Sequence, residues 1–99
     1  MLKVRYVIGS TSDTALRDAP LPLIAARIRR ARKEANLSHD RLGELLGGVT
    51  RQHLIKLEKG KHRPRADMLA RIADATGRDV NWFLDPEVDP SPFQEDEAA

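Results

Sequence analysis

Apolar side chains recur at helical spacing near the middle of the chain, in two short runs. Leu42, Leu45 and Leu46 fall at positions i, i+3 and i+4 of the first run. Leu54 and Leu57 repeat the three-residue spacing in the second run. Residues three and four apart lie on one face of an α-helix. The pattern therefore predicts two short amphipathic helices, one closely following the other.

The turn between the two runs carries residues that end one helix and start another. Gly47 and Gly48 can adopt the positive φ that ends the first helix. Thr50 can cap the second helix, because its hydroxyl can accept a hydrogen bond from an amide of the first turn. Gly43 has no Cβ and leaves room for the two helices to approach closely. Two helices joined this tightly, the second with an arginine, a glutamine and a lysine on its outer face, are typical of a DNA-reading unit.

Three further helices are predicted around this pair. Helix one should run from about Leu23 to Ala35, helix four from Arg65 to about Thr76, and helix five from Val80 to Leu84. Asn36 can adopt the left-handed conformation that ends helix one, and Ser38 can cap helix two. The sequence thus predicts an all-α domain of five helices, of which the second and third are the central pair.

Two charged residues interrupt the apolar stripes of these helices. Arg32 lies eight residues after Ile24, on the apolar side of helix one. Glu58 lies beside Leu57 on the inner face of helix three. Because an unpaired buried charge is costly, we predict an ion pair between Arg32 and Glu58 that ties helix one to helix three.

The other basic residues of helix one are predicted to form a solvated outer face. They are Arg27, Arg29, Arg30 and Lys33. In helix five, Trp82 either covers the core or takes part in a dimer contact, and the sequence leaves both readings open.

Helix three, from about Arg51 to Lys59, is the predicted reader of DNA bases. Arginine can donate two hydrogen bonds to guanine, glutamine matches the edge of adenine, and lysine reaches guanine or phosphate. An aliphatic side chain can contact the methyl group of thymine. The first turn of such a helix inserts deepest into the major groove. The predicted base-reading residues are Arg51, Gln52, Ile55 and Lys56.

The two ends of the chain differ from its middle. Residues 1–9 alternate like a β-strand, with Leu2, Val4, Tyr6 and Ile8 on one face. Because a lone strand is unstable in water, we expect it to pair with the same segment of a second chain. The alternative is a disordered or loosely docked arm. Residues 10–22 are predicted to be a linker with one helical turn from Asp13 to Asp18.

The net charge of +2 is unevenly distributed. Residues 1–84 hold all 17 Lys and Arg against 9 acids, a balance of +8, whereas residues 85–99 hold 6 acids and no base. A basic body with an acidic tail is typical of a polyanion-binding domain, although a generic soluble surface explains the charge equally well. The predicted organisation is an arm and linker over 1–22, a helix-turn-helix DNA-binding domain over 23–84, and a disordered acidic tail over 85–99.

Composition narrows the classes of protein further. The chain of 99 residues has no cysteine, which excludes disulfides and a thiolate zinc site. No apolar run approaches the length of a membrane span, and Lys3 and Arg5 interrupt the layout of a signal peptide. We expect a cytoplasmic, nucleoid-associated protein. No metal or other cofactor is expected, since the three histidines lack metal-ligand spacing, and no arrangement of catalytic residues indicates an enzyme.

Residues 23–84 resemble the Cro and phage-repressor (xenobiotic-response-element) type of helix-turn-helix domain. Four segments carry the match in order: A-R-I-R-R-A-R-K-E-A-N-L-S, G-G-V-T-R-Q, I-K-L-E-K-G-K-H-R-P and L-A-R-I-A-D-A-T-G-R-D-V-N-W-F-L. The resemblance implies a five-helix, lambda-repressor-like bundle and the same Arg32–Glu58 pair. The sequence departs from the usual family pattern at two positions. Gly48 is an extra residue in the turn that would slightly re-aim helix three, and His39 replaces a common glutamine.

The resemblance also implies how the domain meets the phosphate backbone. The first amides of helix two would face a phosphate, and the basic loop after helix three should cross the backbone. These cations would supply affinity that does not depend on sequence. The predicted phosphate-contacting residues are His39, Asp40, Thr50, Lys59, Lys61, Arg63 and Arg65.

The resemblance implies a transcriptional regulator, most simply a repressor that binds an inverted-repeat operator on double-stranded DNA as a homodimer. The alternative is an antitoxin, or a restriction–modification controller, whose DNA-binding domain serves autoregulation. In the antitoxin case the amino-terminal arm or the acidic tail would hold a toxin or another protein partner. A protein-docking bundle without a DNA role is the remaining possibility.

Overall fold

Five helices make up the fold, as a computed structural model of the protein shows for residues 15–87. A helical turn at residues 15–18 precedes them, and the range 15–87 contains no strand. The helices are α1 (Leu21–Glu34), α2 (His39–Leu45), α3 (Arg51–Glu58), α4 (Ala66–Thr76) and α5 (Val80–Leu84). The predicted all-α, five-helix class is confirmed. The predicted strand within residues 1–9 and most of the predicted acidic tail lie outside the described residues.

Helix α1 begins at Leu21, two residues earlier than predicted. Pro20 is the N-cap residue in an extended conformation, and Pro22 lies in the first turn. Proline fits there because the first amides of a helix have no intrahelical acceptor. The helix ends after Glu34, and Asn36 adopts a left-handed φ of 59° as predicted.

Side-chain caps start both helices of the central pair. The Ser38 hydroxyl accepts from the Arg41 amide at 3.0 Å, and the Thr50 hydroxyl accepts from the His53 amide at 3.2 Å. Each bond satisfies one of the amides that a helix start leaves without a partner. Both caps confirm the sequence prediction, since capping depends on residues only three positions apart.

The turn between α2 and α3 closes tightly over Gly43. The amides of Gly48 and Val49 both donate to the Gly43 carbonyl, at 2.9 and 3.0 Å. A Cβ at position 43 would overlap the Val49 carbonyl oxygen, so only glycine fits here. Gly47 and Gly48 adopt φ values of 91° and 102°, which side-chain-bearing residues rarely reach. The turn thus depends on two consecutive glycines.

The core draws side chains from all five helices. Its fully buried members are Ile24, Ile28, Leu42, Leu54, Leu57, Leu69, Ile72 and Phe83. Helix α1 lies at the centre, in contact with α3, α4 and α5, while α2 packs on α3 and α4. Burial of this apolar surface is the main force that holds α3 in place. No helix within residues 15–87 has the length and apolar character needed to cross a membrane.

Arg27 is buried, contrary to the prediction that it belongs to the solvated face of α1. Only 1% of the residue is exposed, and Nη1 donates to the Trp82 carbonyl. The guanidinium lies 4.8 Å from the centre of the Trp82 ring, and that of Arg78 lies 4.0 Å from it. A long arginine stem can pack against apolar surface while its cationic end meets an aromatic face. Trp82, 6% exposed, therefore covers the core of its own domain.

Arg32 and Glu58 meet between α1 and α3. Arg32 Nε donates to Glu58 Oε2 at 2.7 Å, and Nη2 donates to Oε1 at 3.2 Å. A third donor, Nη1, reaches the Leu37 carbonyl at 2.9 Å. Only 5% of the Glu58 side chain is exposed, so the carboxylate depends on these partners.

Replacing Arg32 should destabilise the fold strongly. Arg32→Ala is expected to lower the free energy of unfolding by about 3–5 kcal/mol, because Glu58 then stays buried without its arginine. Urea denaturation followed by the fluorescence of Trp82, the single tryptophan, measures the change. Arg41→Ala is the matched control, since it breaks only the exposed Arg41–Glu44 pair and should cost less than about 1 kcal/mol. Equal effects of the two substitutions would refute a stabilising role for the buried pair.

Candidate nucleic-acid interface

Helix α3 has one buried face and one exposed polar face. Leu54 and Leu57 are 0% and 1% exposed and fix the helix on the core. The four predicted base-reading residues are more accessible than these two leucines. Of them, Arg51, Gln52 and Lys56 are exposed and Ile55 is half-buried. The helix therefore presents hydrogen-bond donors and acceptors outward from its first turn, the part that enters a major groove in this kind of motif.

Arg51 and Asp40 form an exposed ion pair that links the starts of α3 and α2. Arg51 Nε donates to Asp40 Oδ1 at 3.1 Å, and Nη2 donates to Oδ2 at 2.5 Å. The side chains are 57% and 60% exposed. The hydrogen bonds from Arg51, together with its charge, hold the pKa of Asp40 below its usual value, and Asp40 in turn raises the pKa of Arg51. Both groups are therefore charged at neutral pH.

His39, predicted to contact phosphate, turns its ring toward the interior. Its Nε2 lies 3.1 Å from Glu58 Oε1, on the carboxylate that Arg32 also holds. A phosphate contact from this residue would then use the backbone amide at the start of α2. The other two histidines, His53 and His62, stack with ring centres 6.2 Å apart. Within residues 15–87, no three histidine or carboxylate side chains gather to hold a metal ion.

The basic loop after α3 is largely open to solvent. Gly60, with φ of 74°, ends the helix, and Lys59, Lys61 and Arg65 are exposed. Arg65 has only a loose contact with a carboxylate of α4, at 3.8 Å. The cations of this loop and those of α3 lie on consecutive segments of the chain and provide a concentration of positive charge.

Arg63 makes internal contacts that no sequence pattern indicated. Its Nη1 donates to the carbonyls of Leu16 and Ala19, at 2.7 and 2.8 Å. The loop after α3 is thereby tied to the helical turn that precedes α1. A phosphate contact from Arg63, as predicted, would have to come from its remaining N–H groups.

The Asp40–Arg51 pair is a further feature of the candidate interface that the sequence reasoning missed. The two residues were predicted to contact DNA separately, Asp40 through its amide and Arg51 through its guanidinium. Opposite charges in the first turns of two helices joined by a tight turn were the available signal. That signal is weak, because the angle between the helices decides whether the side chains meet.

Comparison with known proteins places these helices in a family. A family model described as Helix-turn-helix matches residues 28–83. An uncharacterized HTH-type transcriptional regulator of Methanothermobacter thermautotrophicus is 48% identical over 52 residues, covering 52% of this chain and 74% of the relative. A second uncharacterized regulator, y4aM of Sinorhizobium fredii, is 41% identical over 62 residues, covering 63% of this chain and 43% of that protein. No solved structure is significantly similar to the chain.

The matched residues include α2, α3 and the glycine turn between them. They also include both members of the Arg32–Glu58 pair. The chain therefore belongs to the helix-turn-helix family of DNA-binding transcriptional regulators, of the Cro and phage-repressor type.

Proposed function

We propose that the protein regulates transcription by binding a specific DNA sequence, with α3 in the major groove. The observation that carries the proposal is the outward face of α3, where Arg51, Gln52 and Lys56 are exposed while two fully buried leucines anchor the helix. These three side chains carry the groups that discriminate bases in the major groove. Ile55 is half-buried beside them and is suited to a thymine methyl.

The proposed phosphate contacts come from the segments before and after α3 in the chain. Lys59, Lys61 and Arg65 supply exposed positive charge on the side of the loop. On the other side, the amides at the start of α2 and the hydroxyl proton of Thr50 are the donors. The Thr50 oxygen already accepts from the His53 amide, so its hydroxyl proton is available to a phosphate oxygen.

We further propose that the protein works as a homodimer on an inverted repeat and represses by occluding a promoter. Its membership of the Cro and phage-repressor type supports this arrangement. In a two-fold dimer of this kind, two copies of the reading helix enter successive major grooves about 34 Å apart. The regulator would act on the chromosome in the cytoplasm by binding, without catalysing a reaction.

Gln52→Ala tests the assignment of α3 as the reader. The operator is first obtained by binding-site selection. The substitution should reduce the preference for this operator over random duplex by about 1–3 kcal/mol, because one base loses its matching hydrogen bonds. Binding to random duplex should stay nearly unchanged. Fluorescence anisotropy with both duplexes at one salt concentration measures the two affinities. Lys61→Ala is the comparison, since loss of a phosphate contact weakens binding to the operator and to random duplex about equally. If the Gln52→Ala variant were folded and bound both duplexes more weakly by the same factor, Gln52 would not be a base-reading residue.

The salt dependence of DNA binding tests whether the basic loop contacts phosphates. The logarithm of the affinity for random duplex should fall linearly with the logarithm of salt concentration, and Lys61→Ala should make that slope shallower by about 0.9. The control is Lys33→Ala, which removes the same charge from an exposed position of α1 outside the proposed interface. Equal slopes for Lys61→Ala and the unmodified protein would remove Lys61 from the set of phosphate contacts.

A further inference from the structure

A carboxylate on the proposed DNA-facing surface needs an explanation. Asp40 lies at the start of α2 with 60% of its side chain exposed, and it opposes the approach of phosphate by its negative charge. Stabilisation of the fold is a weak explanation, because exposed ion pairs contribute little. Its partner is Arg51, the first residue of the reading helix.

The geometry of the pair leaves the guanine-reading edge of Arg51 available. A guanidinium has five N–H donors, and Asp40 accepts from Nε and from one N–H of Nη2. Asp40 thus occupies the edge of the guanidinium formed by Nε and Nη2. The outer edge, formed by Nη1 and the second N–H of Nη2, points away from Asp40. These two nitrogens match the spacing of O6 and N7 on guanine. Asp40 therefore does not block recognition of guanine by Arg51.

The same contact limits the freedom of Arg51 before any DNA is bound. An arginine has several rotatable bonds, and ordering such a side chain on binding reduces affinity. Two charge-assisted hydrogen bonds to one carboxylate fix both the position and the plane of the guanidinium. A side chain ordered in advance gains more from the correct base and adapts less readily to a wrong one.

We propose that Asp40 is a positioning residue, which orients Arg51 for two hydrogen bonds to a single guanine and so sets the specificity at that base pair. The inference rests on the proposed function and adds a residue to the specificity machinery. In this arrangement Asp40 lowers affinity for DNA in general and raises discrimination at one position.

The neighbouring pair on α2 offers a matched control. Glu44 accepts from Arg41 Nη1 at 2.9 Å, and the two side chains are 67% and 60% exposed. Glu44→Ala thus removes the same charge from the same helix and also breaks an exposed ion pair. It leaves Arg51 untouched, because both members of this pair belong to α2.

The experiment uses the full chain and a duplex obtained by binding-site selection. Affinities are measured for this duplex, for variants with each base pair replaced in turn, and for random duplex. Arg51→Ala identifies the base pair that Arg51 reads. Asp40→Ala should lower discrimination at that base pair alone by about 3- to 10-fold, which corresponds to the ordering of one long side chain. Binding to random duplex should become tighter, because the substitution removes a negative charge. The double variant should discriminate no worse than Arg51→Ala.

Other outcomes would overturn the inference. Full discrimination by Asp40→Ala, with tighter binding to all duplexes, would mean that Asp40 only competes with DNA for Arg51. An equal loss of discrimination in Glu44→Ala would mean that charge on α2, and not contact with Arg51, is responsible. If the unmodified protein selected no sequence at all, the proposed function would fail and this inference with it. Thermal unfolding of each variant establishes that it is folded.

Discussion

The carboxylate of Glu58 lies where three helices meet, and it restricts the position of α3 on the core. It belongs to α3, accepts two hydrogen bonds from Arg32 of α1, and lies 3.1 Å from Nε2 of His39 on α2. Its side chain is only 5% exposed, so these partners take the place of water. A buried charge has few favourable positions, because each must supply matching donors. This requirement restricts how α3 can shift or rotate on the core.

Two adjacent residues of α2 engage opposite ends of α3. His39 meets Glu58 at the last residue of the helix, and Asp40 meets Arg51 at the first. The inner contact is shielded from solvent and restrains the helix, whereas the outer contact is exposed. A rigid helix with an ordered but accessible first turn is what discrimination between base pairs requires.

Local signals in the sequence were enough to predict most of the fold. The caps at Ser38 and Thr50, the left-handed Asn36 and the bounds of α5 agree with the structure, since each depends on residues within one or two helical turns. The start of α1 was placed two residues late, because two prolines suggested a boundary where they in fact occupy the cap and the first turn. The exposure of Gln52 and Lys56 also followed from periodicity, because Leu54 and Leu57 had to face the core.

The sequence by itself thus determined the helices, their caps, the glycine turn and the side of α3 that faces outward. Only the tertiary structure decided which partners the arginine side chains named below contact. Arg27 is buried against Trp82, Arg63 ties the loop to residues before α1, and Arg51 meets Asp40. An arginine can reach partners in many directions from one backbone position, and helix crossing angles select among them. Those angles result from packing between residues distant in the sequence, which no local pattern encodes.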